Sequence, residues 1–135
     1  MKWFSIRELT KSNMAYKFKI DNTPNEQQKK QLENLITNVL DPIREEYGKP
    51  IYVNSGFRCR ELNKKVGGVN TSHHLCENGY AAADITARSN EENKILFGIC
   101  LALNLPFCQL IDESNFSWIH VSYNEKDIRR EVLHL

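Results

Sequence analysis

Seven apolar residues, Leu32, Leu35, Ile36, Val39, Leu40, Ile43 and Tyr47, recur at the three- and four-residue spacing of one helix face. Such a stripe has to be buried, so the chain must pack a long helix against a second layer. Thr23-Pro24-Asn25-Glu26 reads as its start, with Thr as cap, Pro at the first helical position and Glu three residues on. Gly48 and Pro50 end it. Pro42 is expected to kink it, because proline removes a donor and crowds the preceding turn.

The other elements follow from local signals. Ser5-Ile6-Arg7-Glu8 is a capping box for a short helix to about Lys11, and Ser12 caps another over Met14–Phe18. Ile51–Asn54 reads as a strand. Residues 55–81 form a long irregular segment punctuated by Gly56, Gly67, Gly68 and Gly79, with one short helix near Glu61–Val66. Long segments of this kind inside a domain are usually functional or disordered, and this one is too rich in His, Arg and Cys for a linker. Ala82–Ala87 reads as a strand, and Ser89-Asn90-Glu91-Glu92 caps a helix running to Leu103. Phe107–Ile111 and Trp118–Tyr123 flank Asp112–Ser117 as an antiparallel hairpin, with a last strand in Arg130–His134. Helices come first and strands late, so the class is α+β: N-terminal helices packed on a small antiparallel sheet.

At 135 residues the chain is expected to be one domain, 1–135. Its 26% charged and 41% apolar residues exclude a disordered tail or fibre. A net charge of +1 gives no electrostatic reason to expect nucleic acid or a membrane surface as partner. The charge is uneven, however: residues 1–66 carry 13 basic and 8 acidic side chains, against 5 and 9 in residues 67–135. No apolar run approaches a membrane span. No secretory leader is visible at the charged N-terminus, so synthesis in a cytoplasm is expected. Cys59, Cys76, Cys100 and Cys108 lack CxxC spacing and read as reduced thiols. A monomer is the expectation.

Two strands carry metal-competent side chains opposite their apolar faces. Side chains alternate along a strand, so Asp84 in Ala82–Thr86 points away from Ala83 and Ile85, and His120 points away from Ile119, Val121 and Tyr123. If the two strands are neighbours, Asp84 and His120 share a face. Ser72-His73-His74 offers a third ligand, and two histidines plus one carboxylate with a position left for water is a catalytic zinc arrangement.

Seven pieces extend this pattern: Ser55-Gly56-Phe57-Arg58, Leu62-Asn63, Val66-Gly67-Gly68, Ser72-His73-His74, Gly79, Ala82-Ala83-Asp84-Ile85 and Trp118-Ile119-His120-Val121-Ser122. They stand in the order seen in the zinc D-Ala-D-Ala carboxypeptidase family, and the chain resembles that family's small single-domain phage and prophage members. Glu8–Ser12 and Ile20–Pro24 are similar to the leader of those members, so the resemblance covers nearly the whole chain. It implies that His74, Asp84 and His120 bind Zn²⁺, and that Arg58 serves catalysis by gripping substrate through its planar, permanently charged fork. Ser72 and Trp118 are expected to line the substrate cleft, and His73 to make a loop hydrogen bond. The interval from His74 to Asp84 is longer than usual in the family, with extra residues mostly in Cys76-Glu77-Asn78. Cys76 is a further candidate ligand, since thiolate binds zinc well.

A zinc peptidase also needs a proton acceptor. Many family members carry a Glu three residues before the last histidine, where this chain has Ser117. The nearest acids are Asp112 and Glu113. A four-residue turn, Ser114–Ser117, puts Glu113 on the face of His120, while a five-residue turn puts Asp112 there. Short members show a Glu after a Gln-Leu-Ile run, which favours Glu113 as base with Asp112 as the alternative. The resemblance implies a zinc metallopeptidase acting on bacterial cell-wall stem peptides, with D-Ala-D-Ala carboxypeptidase activity first. An L-Ala-D-Glu endopeptidase of endolysin type and a non-catalytic wall-peptide-binding module are the alternatives.

Overall fold

The chain opens with two short helices, α1 (Ile6–Thr10) and α2 (Asn13–Lys17), in the computed structural model, which describes residues 1–135. Each is capped by a serine, Ser5 accepting from Glu8 N and Ser12 from Ala15 N. The long helix then forms in three joined pieces: α3 (Glu26–Leu35), a π turn (Ile36–Leu40) and α4 (Asp41–Tyr47). Its start differs from the expectation. Thr23 donates its hydroxyl to Asp21, and Asn25 is the cap, closing a reciprocal box with Gln28. Residues before proline are driven to extended backbone, which keeps Thr23 outside the helix, and the Asn25–Gln28 spacing satisfies both ends of the box. Pro42 lies in the first turn of α4, and its disturbance falls on the preceding π turn, where Asp41 N donates to Ile36 O. Gly48, at φ +76°, terminates α4 in the left-handed conformation that glycine adopts without strain.

The remaining elements are β1 (Tyr52–Ser55), α5 (Arg60–Lys65), a 3₁₀ turn (His73–Leu75), β2 (Ala81–Thr86), α6 (Asn90–Ala102), β3 (Gln109–Glu113), β4 (Trp118–Tyr123) and β5 (Glu131–His134). The strands form one sheet in the order β1-β2-β4-β3-β5. The class is α+β, as expected, with one correction: β5 pairs parallel with β3, so the sheet is not wholly antiparallel. Both edges of β4 are already taken by β2 and β3. After β4 the reversing chain therefore passes beyond β3, and a strand antiparallel to β4 must run parallel to β3 there.

One sheet face meets the helical stripe. Leu32, Leu35, Ile36, Val39, Leu40 and Ile43 are fully buried in one cluster with Ala81, Ala83, Ile85, Ile119 and Val121. Burying a Val, Leu or Ile side chain contributes roughly 1.5–3 kcal/mol, so this interface supplies most of the drive that fixes strand register. Fixing the register turns Asp84 and His120 to the opposite face. No helix is long and apolar enough to cross a membrane.

Candidate active site

Asp84 stands directly opposite His120 in the β2–β4 ladder, and His120 stands opposite Ile111 in β3–β4. Glu113 is opposite Trp118, so the hairpin has the four-residue turn 114–117. Because strand side chains alternate, Ile111, Glu113, Trp118 and His120 share one face with Asp84, and Asp112 is turned to the other. These residues line a cleft of about 490 Å³ together with Arg58, Ser72 and the two adjacent histidines.

His74 reaches this face from the 3₁₀ turn laid over the sheet. Ser72 accepts from His74 N at 3.2 Å, and Arg58 N donates to His74 O at 2.8 Å. The ring is fixed from behind, with its Nδ1 2.7 Å from the Gly56 carbonyl. That carbonyl can come so close because Gly56 has no side chain: a Cβ there would lie 2.2 Å from Leu9 O. Phe57 N donates to the same Leu9 oxygen at 2.7 Å, clamping the loop to α1.

These contacts define the donor chemistry of the site. A carbonyl only accepts, so His74 Nδ1 carries the proton and its Nε2 in the neutral ring presents a bare lone pair. That lone pair faces Asp84 Oδ1 at 3.2 Å, and His120 Nδ1 faces the same oxygen at 3.0 Å. The three ligand atoms all lie within 4.8 Å of one another. Tetrahedral zinc with ligands near 2.0–2.1 Å sets them about 3.3 Å apart, so the His-Asp-His group has the donors and spacing to hold such an ion. With an ion on Nε2, the Gly56 carbonyl behind His74 would be the outer contact that orients the imidazole. His74 and His120 are buried. Burial would raise the Asp84 carboxyl, but when the rings are protonated the His74 charge and the hydrogen bonds that both imidazoles donate outweigh it and hold it well below the usual carboxylate range.

The other expected residues divide clearly. Arg58 is half-buried, with Nη2 on Ser72 Oγ at 3.3 Å and a buried Nε that has no partner. Burial lowers its guanidinium, while Asp84 and Glu113 oppose that shift. Ser72 bridges Arg58 and His74, and Trp118 lines the cleft with its Nε1 on Glu113. His73 turns aside: it stacks on Tyr80 at 4.0 Å and places Nδ1 3.0 Å from Ser122 Oγ. Burial, helped by the His120 and Arg129 charges, lowers its pKa to about 4.

Cys76 lies outside the cluster. It is buried in the apolar core, where burial pushes its thiol up to about 12 and leaves it protonated. Asp112 is buried on the far face against His134 of β5. The extra residues between His74 and Asp84 form a tied loop. Gln31 donates to the Cys76 and Tyr80 carbonyls, Asn124 donates to the Asn78 carbonyl, and Arg60 pairs with Glu77. Sequence reasoning passed over the Gly56 carbonyl and Ile111. The first carries no side-chain signal, and the second follows only once the turn length is known.

Asp84, His120 and Glu113 on the β2–β4–β3 surface, with His74 and Arg58 brought over it from the preceding segment, form a group that could hold a metal ion beside a carboxylate and an arginine. Residues 2–122 match the sequence model of the Peptidase M15 family, and the chain belongs to that family. The match agrees with the resemblance drawn from the seven motifs. A comparison with curated proteins gives no match.

Proposed function

We propose that the protein is a zinc-dependent peptidase that hydrolyses an amide bond in bacterial peptidoglycan stem peptides, with the D-Ala-D-Ala bond as first choice. The observation that carries this reading is the convergence of His74 Nε2, Asp84 Oδ1 and His120 Nδ1 on one sheet face that also bears Glu113. His74, Asp84 and His120 would hold the ion. Zinc in such a site lowers the pKa of a water and polarises a carbonyl. Glu113, a diagonal neighbour of His120 about 7–8 Å away on the same face, takes a proton from the attacking water and returns it to the leaving nitrogen. Trp118 Nε1, donating to Glu113 Oε2, fixes which way that carboxylate points. Arg58 meets the substrate, since its guanidinium enters the cleft with most of its donors uncommitted. Such a substrate places the site of action at the bacterial cell wall.

Ser117 does not take the place of the glutamate found there in many relatives. Its hydroxyl is turned to the Ser114 carbonyl at 2.6 Å inside the turn. The test is incubation of the purified, zinc-loaded protein with a synthetic stem pentapeptide, followed by mass analysis of the products. Loss of the terminal D-Ala is the expected result, and it should vanish after chelation. Cleavage between L-Ala and D-Glu would reassign the bond. Binding of the pentapeptide without any cleavage would replace the enzyme with a wall-peptide-binding module.

A further inference from the structure

A second groove, of about 700 Å³, runs along β1 at the edge of the sheet and meets the metal-site cleft at Arg58, which lines both. Its charged lining is Lys11, Arg58, Arg88 and a single acid, Glu8. The side chains of Lys11 and Arg88 make no hydrogen bond and no ion pair, although the chain carries nearly equal numbers of acids and bases. Three cations against one acid, two of the three uncommitted, give the groove a positive field that favours an anionic ligand.

Arg88 is also prearranged. It adopts φ +69°, a left-handed conformation uncommon outside glycine, with its N–H held by Thr86 Oγ at 2.9 Å. This turn lays the guanidinium over the Tyr52 ring, 3.5 Å from its centroid. A stacked guanidinium keeps its N–H edge free for a carboxylate while losing little side-chain freedom on binding. β1 pairs only with β2, so the main-chain groups along its outer edge have no strand partner. An extended peptide can lie beside such an edge.

We propose that this groove binds the carboxylate-bearing flank of the peptide substrate, which lies along β1 with its acid among Arg58, Arg88 and Lys11. The proposal rests on the peptidase reading of the adjoining cleft. The scissile bond then lies over the His74–Asp84–His120 cluster. Tyr52, under Arg88, stands opposite Thr86, two residues along β2 from Asp84, so a carboxylate two or three residues from the scissile bond is in reach, since three extended residues span about 10 Å. In a stem peptide that acid is the α-carboxylate of the γ-linked D-glutamate.

The test uses two pentapeptides, L-Ala-γ-D-Glu-L-Lys-D-Ala-D-Ala and its counterpart with that α-carboxylate converted to a carboxamide. The wild-type protein should favour the carboxylate form by about tenfold or more in kcat/KM, mainly through KM, because a charge-assisted hydrogen bond is lost in the amide. The double variant Lys11→Glu/Arg88→Glu should lose that preference. Equal kcat/KM for the two peptides in the wild type overturns the proposal, and so does an undiminished preference in the double variant. If the variant fails to fold, the wild-type comparison still decides. A second readout is independent of turnover: NMR titration of the zinc-loaded wild-type protein with γ-D-glutamyl-L-lysine amide, which contains neither candidate bond. Shifts at Lys11 and Arg88 that disappear with the isoglutaminyl analogue keep the groove even if no peptide is cleaved, and then only the peptidase reading falls. Cleavage without charge preference leaves the peptidase reading standing and removes the groove.

Discussion

Trp118 Nε1 donates to Glu113 Oε2 at 3.0 Å across the first pair of the β3–β4 hairpin, on the face that carries His120. The turn length therefore sorts the two adjacent acids. Glu113 goes to the cleft, and Asp112 goes to the buried far face beside His134.

This sorting makes the roles of the two acids separable. With Glu113 as base, Glu113→Gln should keep the fold and the zinc content while activity falls by ~10²–10⁴, the usual range for a positioned base. Asp112→Asn should leave kcat near wild type. It should lower stability by about 1 kcal/mol or less, since the partnering His134 side chain is 68% exposed and solvent weakens the pair. The measurements are steady-state kinetics and a melting curve for each variant. The reverse ranking in kcat would move the base to Asp112.

Zinc should stabilise the chain by mass action, because the unfolded state lacks the assembled His74–Asp84–His120 group. Zinc at a hundredfold over its Kd adds about 2.7 kcal/mol to a folded state that alone binds it. His74→Ala, Asp84→Asn and His120→Ala should each abolish this rise in melting temperature. His73→Ala should retain it, since His73 is turned to Ser122 and Tyr80. Loss of the zinc effect in His73→Ala alone would exchange the roles of the neighbouring histidines.

Gly56→Ala joins the fold to the site. The added Cβ would meet the Leu9 main chain at 2.2 Å, which a backbone shift must relieve, and overpacking of this kind typically destabilises by ~1–3 kcal/mol. The shift displaces the carbonyl that holds His74, so zinc affinity should fall by roughly 10–100-fold, as for other outer contacts of metal ligands. Calorimetric zinc titration checks this. Unchanged zinc affinity would deny the carbonyl its orienting role.

The residues that place Asp84 and His120 were legible because apolar–polar alternation is a property of the strands themselves. The hairpin register was not. It depends on Ser114, Asn115 and Phe116, three consecutive non-glycine residues with positive φ. No local preference favours that stretch, and it is held from α6, more than twenty positions away, by Asn90 on the Asn115 carbonyl and Asn93 on those of Phe116 and Ser117. The direction of β5 was hidden for a similar reason. It is decided by which strand edges are already occupied, and sequence periodicity does not record that.

The cysteines give a pH-dependent test. Burial pushes Cys76 and Cys100 up from 9.0 to about 12, so in the folded chain they stay protonated where unfolded thiols ionise. The stability tied to these neutral thiols is complete below pH 9 and is lost as pH rises from 9 toward 12. Melting temperature should therefore fall across that window. At pH 8 the half-buried Cys59 should be the first thiol modified in the folded chain. Equally fast modification of Cys76 would contradict its burial.

Asn93 connects the strand of Asp84 to the turn beside Glu113. It is 1% exposed; its Oδ1 accepts from Ala87 N at 2.7 Å, and its Nδ2 donates to the Phe116 carbonyl at 2.8 Å and the Ser117 carbonyl at 3.2 Å. Asn93→Ala leaves these main-chain groups without the amide, and each buried group left unpaired costs ~1–3 kcal/mol. The left-handed turn loses its restraints on Phe116 and Ser117 and is then held by Asn90 on the Asn115 carbonyl and by the packing of Phe116 on Phe97. Glu113 and Trp118 flank that turn, so kcat should fall at temperatures where the variant remains folded. Zinc content should stay near one per chain, because Asp84 and His120 are held by the β2–β4 ladder and His74 by the Gly56 carbonyl, contacts that Asn93 does not make. A variant with lower melting temperature and wild-type kcat would confine Asn93 to stability and separate the strained turn from catalysis.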